Sequence, residues 1–123
     1  MATDIHWEEH GILFKHSGTT TDEEVMRKND IMYGDIRFES ISYQIADYTD
    51  VTNNLISARD AKVISTLDKV SAQWSSKSMK LAVVTTDEKF IPIVQSYFKE
   101  FEGSSWEGRL FETLDDAYTW VKE

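Results

Sequence analysis

MKLAVVTTDEKFIPIVQSYFKEFEGSSWEGRLFETLDDAYTWVKE, Met79 to Glu123, decides the fold, because it reads strand, helix, strand, helix without interruption. The apolar run KLAVV is short enough for a buried strand, and Phe90, Val94, Tyr97, Phe98 and Phe101 follow at helical spacing. Gly103-Ser104-Ser105 breaks the chain before a second strand around GRLFE. Thr113 with Asp116 then caps a last helix burying Ala117, Trp120 and Val121. A strand whose following helix returns the chain to a parallel neighbour is the repeating unit of α/β folds. Pro92 is easy only in a first turn, so either Thr86 to Lys89 is a turn and the helix starts near Ile91, or the helix kinks.

Upstream, Ile5 to Glu9 and Ile12 to His16 flank His10-Gly11 and predict a hairpin. Thr21-Asp22-Glu23-Glu24 is a capping box for a helix over 21–33, with Val25, Asn29 and Met32 or Tyr33 inward and Gly34 in the left-handed position that ends it. Ser40 to Tyr48 reads as a strand with Ile41, Tyr43 and Ile45 on one face and Ser40, Ser42 and Gln44 on the other. The polar side implies that some region of the sheet has helices on one face only. Ser57 opens another helix, whose expected buried stripe is Val63, Leu67, Val70 and Trp74. The order is β-β-α-β-α-β-α-β-α, which predicts a single domain over 1–123: a mixed sheet of about five strands with about four helices.

Composition narrows the function. The chain has 123 residues and a formal net charge of -9, which opposes attraction to phosphate backbones, so nucleic acid is not an expected partner. It has no cysteine, hence no disulfide, thiolate nucleophile or thiolate metal site. No apolar run approaches the roughly 18 residues of a membrane span, and a cytoplasmic protein is the expectation. His6, His10 and His16 read as surface or partly packed residues rather than metal ligands. The acidic pairs at Asp22-Glu23-Glu24 and Asp115-Asp116 sit where helix N-termini favour negative charge, so capping accounts for them. No nucleophile elbow, phosphate loop or nucleotide fingerprint occurs, so neither an enzyme nor a bound cofactor is expected.

Taken with that order, YGDIRFESISYQIADYTDV at 33–51, MKLAVVTTDEKF at 79–90 and GSSWEGRLFETLDDAYTWV at 103–121 resemble the STAS domains, and more closely the SpoIIAA-like family related to anti-sigma-factor antagonists. The resemblance implies a sheet wound as successive right-handed β-α turns and a non-catalytic role. In the bacterial antagonists it also implies a phosphorylated serine at the start of the helix after the third strand. The D-S-[ST]-G segment that carries this serine is absent from Thr52-Asn53-Asn54-Leu55-Ile56-Ser57-Ala58-Arg59, where Ser57 is the nearest hydroxyl. A phosphate there would sit on a helix N-terminus, although serine also serves as a simple cap.

Two ligand locations follow. Beyond the carboxyl ends of the strands lie Asp47, Tyr48, Asp50, Asn53, Asn54 and Ser57, with Thr85, Thr86 and Asp87. The second is an apolar cavity between the first two helices, lined by Met32, Tyr33, Leu55, Val63 and Trp74, an idea supported by the similarity of STAS architecture to the CRAL-TRIO lipid carriers. The leading expectation is therefore a domain binding a small apolar or lipid-like ligand, with transient membrane contact if those helices part. The alternative is a protein partner and a switch at Ser57.

Overall fold

The computed structural model describes residues 3–74 and 78–123, except the side chains of residues 60, 65 and 71–74. Its elements are β1 (Thr3–Trp7), β2 (Gly11–Thr20), α1 (Asp22–Tyr33), a 3-10 turn (Ile36–Ser40), β3 (Tyr43–Asn54), α2 (Ala58–Trp74), β4 (Met79–Val84), α3 (Ile91–Lys99), β5 (Trp106–Phe111) and α4 (Leu114–Val121). The five strands lie in the sheet in chain order, β1 antiparallel to β2 and every other pair parallel. The α/β class, the mixed five-stranded sheet and the four helices are those the sequence predicts.

Strand alternation divides the sheet into two buried faces. Ile12, Phe14, Leu81 and Val83 pack beneath α1, α2 and α3, whereas Tyr43, Ile45, Ala82 and Val84 meet Ala117, Trp120 and Val121 of α4. Gln44 belongs to the three-helix side, so the polar alternation in this stretch does not mark an uncovered face. The expected strand at Ser40 starts only at Tyr43, because Asp35 accepts the Arg37 N–H at 2.9 Å and turns 36–40 into a 3-10 segment. It also runs on to Asn54, pairing with β2 after β4 has ended opposite Asp47. Two bulges interrupt this β2–β3 ribbon, and Gly18, with φ of 64°, lies at the second.

The caps are as expected: Thr21 accepts from the Glu24 N–H at 3.3 Å and Thr113 from the Asp116 N–H at 3.2 Å. Pro92 occupies the first turn of α3, which begins at Ile91. Gly34 differs from expectation; its φ of -82° is right-handed, so α1 ends without a left-handed cap. The larger correction concerns α2. Ala61, Ile64 and Asp68 are its buried stripe, while Val63, Leu67 and Val70 are about half exposed. Polar Asp68 lies within the inward face, so the most apolar stripe of the helix is not the one that packs. The Trp74 side chain lies outside the described residues.

Candidate functional site

Three helices leave a cavity of about 80 Å³ over the centre of the sheet. Its walls are apolar, chiefly Phe14, Val25, Ala46, Ile64, Val83 and Val94, and its polar residues include Lys28 and Asn29 of α1 and Gln44 of β3. Lys28 falls three residues after Val25 and four before Met32, so helical periodicity turns it inward with them. Its ammonium end lies 2.9 Å from His16 Nε2, 4.4 Å from the centre of the Phe14 ring and 5.7 Å from that of Tyr48. Burial pushes the Lys28 amine down to about 7, with the Asp68 carboxyl acting in the opposite sense.

His16 has no solvent exposure and stacks on Tyr48 at 4.3 Å between ring centres. Burial, with the Lys28 charge beside it, lowers its pKa to about 2, so the imidazole is neutral. Thr3 Oγ1 donates to Glu24 Oε2 at 3.4 Å and lies 2.9 Å from His16 Nδ1. This makes Nδ1 the protonated nitrogen and leaves Nε2 to accept from Lys28. Deeper between the helices, the Asp68 carboxyl receives the hydroxyls of Tyr33 and Tyr97, each at 2.5 Å, and burial is the largest influence raising its pKa. Burial thus works against the charged form of both Lys28 and Asp68 in this apolar setting.

Of the residues expected to bind a ligand, Tyr48 lines this cavity. Met32 is fully buried in the neighbouring core, and Tyr33 is committed to Asp68. Leu55 and Val63 face solvent, as does Asn53. Asn54 accepts the Ile56 N–H at 3.1 Å, closing the turn into α2. The expected rim beyond the strands is also largely consumed locally. Asp47 and Thr85 are buried, Asp47 accepting from Thr49 and Thr85 from the Asp87 N–H. Lys15 approaches Asp47 and Asp50 at 3.9 and 3.4 Å. Sequence reasoning missed Lys28, His16 and Asp68. The available signal was a charged residue on the apolar face of each helix, Lys28 beside Val25 and Met32, and Asp68 beside Ile64. His16, expected at the surface or partly packed, is a core residue because the alternation of β2 puts it on the same face as Ile12 and Phe14.

A second feature is on the surface. Ser57, exposed, precedes α2, and its carbonyl accepts the Ala61 N–H at 3.0 Å. Lys62 bonds to Glu100 at 3.2 Å and so marks the side of α2 that faces α3. At 100° per residue, Val63, Leu67 and Val70 lie roughly 80–140° around the helix from Lys62, on an exposed flank. Among the described residues there is no cluster of three or more His, Asp or Glu arranged to hold a metal, and no helix is long and apolar enough to cross a membrane.

No known protein-family profile matches the chain, and no curated protein matches it by sequence. Solved structures do. An anti-sigma-factor antagonist from Mycobacterium paratuberculosis superposes with a TM-score of 0.60 at 14% identity, covering 98% of this chain and 93% of its own. An uncharacterised DUF3478-family protein with a SpoIIAA-like fold from Shewanella loihica gives 0.57 at 18% identity, covering 98% and 92%. The chain therefore has the SpoIIAA-like, STAS-type fold.

Proposed function

We propose that the chain is a non-enzymatic protein-interaction regulator of the anti-sigma-factor-antagonist type, using the start and outer face of α2. The observation that carries this reading is the exposed apolar stripe of Val63, Leu67 and Val70, with Leu55 also exposed just before the helix and Ser57 accessible at its start. Covering one such half-exposed Leu or Val contributes about half of the roughly 1.5–3 kcal/mol of full burial, so several together can anchor a partner. A phosphate at Ser57 would gain from the helix N-terminus within the chain and add charge beside the apolar contact, weakening association. The likeness to an antagonist supports the reading through the fold alone.

The test is affinity capture from extract of the source cells with the parent chain, Ser57→Asp and Leu67→Glu. A partner retained by the parent and depleted about tenfold on both variants, a loss of about 1.4 kcal/mol, is expected. Incubating the captured material with ATP and mapping phosphate by mass spectrometry then asks whether Ser57 is the modified hydroxyl. Equal recovery of all bound proteins on the three baits would sink this reading.

A ligand remains the second reading, favoured by the cavity itself. At about 80 Å³ it is well below the roughly 300–1,000 Å³ of drug-sized sites, so it suits a small molecule rather than an acyl chain. Transient membrane contact would require α1 and α2 to part, and vesicle flotation tests it.

A further inference from the structure

Independently of the protein-interaction reading, we propose that Lys28 is a carbonyl-capturing amine, forming an imine with a small unbranched aliphatic aldehyde admitted to the cavity beneath α1, α2 and α3. Three features of the site converge on this. The amine is buried against the Phe14 and Tyr48 rings and hydrogen-bonds a neutral imidazole, surroundings in which a charged ammonium is poorly solvated and the free amine is favoured. Lys28 lines a space of about 80 Å³, or roughly three groups the size of a water molecule, together with Phe14 and Tyr48, the rings its amine rests against. Finally, Gln44 lines the same cavity and its amide Nε2 is buried without a hydrogen-bond partner, leaving a donor for an oxygen that the apolar walls cannot serve.

The chemistry closes without a further reagent. The Lys28 nitrogen lone pair adds to the carbonyl carbon, giving a carbinolamine whose oxygen Gln44 Nε2 can meet. The carbinolamine oxygen then leaves with both original amine protons as water, its C–O bond breaking as the C–N single bond becomes C=N. His16 Nε2 accepts an N–H of the amine and orients the lone pair away from itself. The titratable groups around the amine are His16 from β2, Tyr48 from β3, Asp68 from α2 and Tyr97 from α3. Burial also disfavours the ionised form of both tyrosines, leaving Asp68 as the main source of nearby negative charge.

Propanal and sodium cyanoborohydride, which converts an imine to a stable secondary amine, provide the test on the full chain at neutral pH. Peptide mapping should find propyl label on Lys28 at least about tenfold faster than on the exposed Lys89 and Lys99, whose amines are mostly protonated there. The Lys28 rate should level off just above neutrality while theirs keep rising toward pH 10. Branched 2,2-dimethylpropanal should label Lys28 poorly, and Ala61→Leu, which fills the cavity wall, should suppress propyl label at Lys28 alone. Absence of Lys28 label in the folded parent would overturn the proposal, as would equal labelling in Ala61→Leu with circular dichroism unchanged.

Discussion

His16 and Lys28 give this chain a definite response to acid. The unfolded imidazole takes up a proton below about pH 6.5, whereas the folded one stays neutral down to about 2. The unfolded state therefore binds more protons in that interval, and stability must fall as pH falls through it. Lys28 acts in the same sense at higher pH, its folded value of about 7 against 10.5 making stability rise from neutrality toward pH 10. Asp68 opposes in acid, since its raised folded value favours the native state below the window in which it ionises. Urea titrations at about pH 6.5 and 4.5 should differ by about 2 kcal/mol in the parent chain, and His16→Gln should flatten that slope. An unchanged slope would mean that His16 is not the acid-sensitive group. Sterics are as local: a Cβ on Gly108 would fall 2.1 Å from the Phe98 ring, and Gly108→Ala should cost about 1–3 kcal/mol by the same titration.

Among the elements, α1 and α4 each rest on a threonine cap, and Thr21→Ala and Thr113→Ala should each lower stability by about 1 kcal/mol with the far-ultraviolet spectrum unchanged. α2 offers a sharper test because its two stripes make opposite demands. Ile64→Ala, on the face against the sheet, should cost about 2–4 kcal/mol, while Leu67→Asn, on the exposed face, should cost under about 1 kcal/mol. Similar losses for both would return α2 to the orientation that its hydrophobicity alone implies. Helix periodicity was legible in the sequence, but the choice of face was not, since two overlapping stripes compete and the buried one includes a carboxylate. That choice is made by α1 and α3, whose Tyr33 and Tyr97 hydroxyls supply Asp68 with partners from both sides.

At the scale of the whole molecule, α4 closes one face of the sheet and is tied to the N-terminal hairpin through Glu8, whose carboxylate accepts from Tyr43 and, at 2.5 Å, from Tyr118. Trp120, beneath the Lys80 and Arg109 side chains, anchors that layer; Trp120→Ala should destabilise by about 3–5 kcal/mol and expose Tyr43 and Ile45 to solvent, read by loss of tyrosine protection from iodination. The sequence by itself determined the order of elements, the caps at Thr21 and Thr113, the turn before Pro92 and the α/β class, because these depend on residues within one or two helical turns of each other. Only the tertiary structure decided that Lys28, lining a cavity, is bonded to His16 and falls within the electrostatic reach of Asp68, and that Leu55 and Val63 do not line that cavity. The reason is that burial of a charge is settled by what lies across the fold: a lysine on an apolar face is unfavourable alone, and becomes tolerable when a neutral imidazole and two aromatic rings are brought to it.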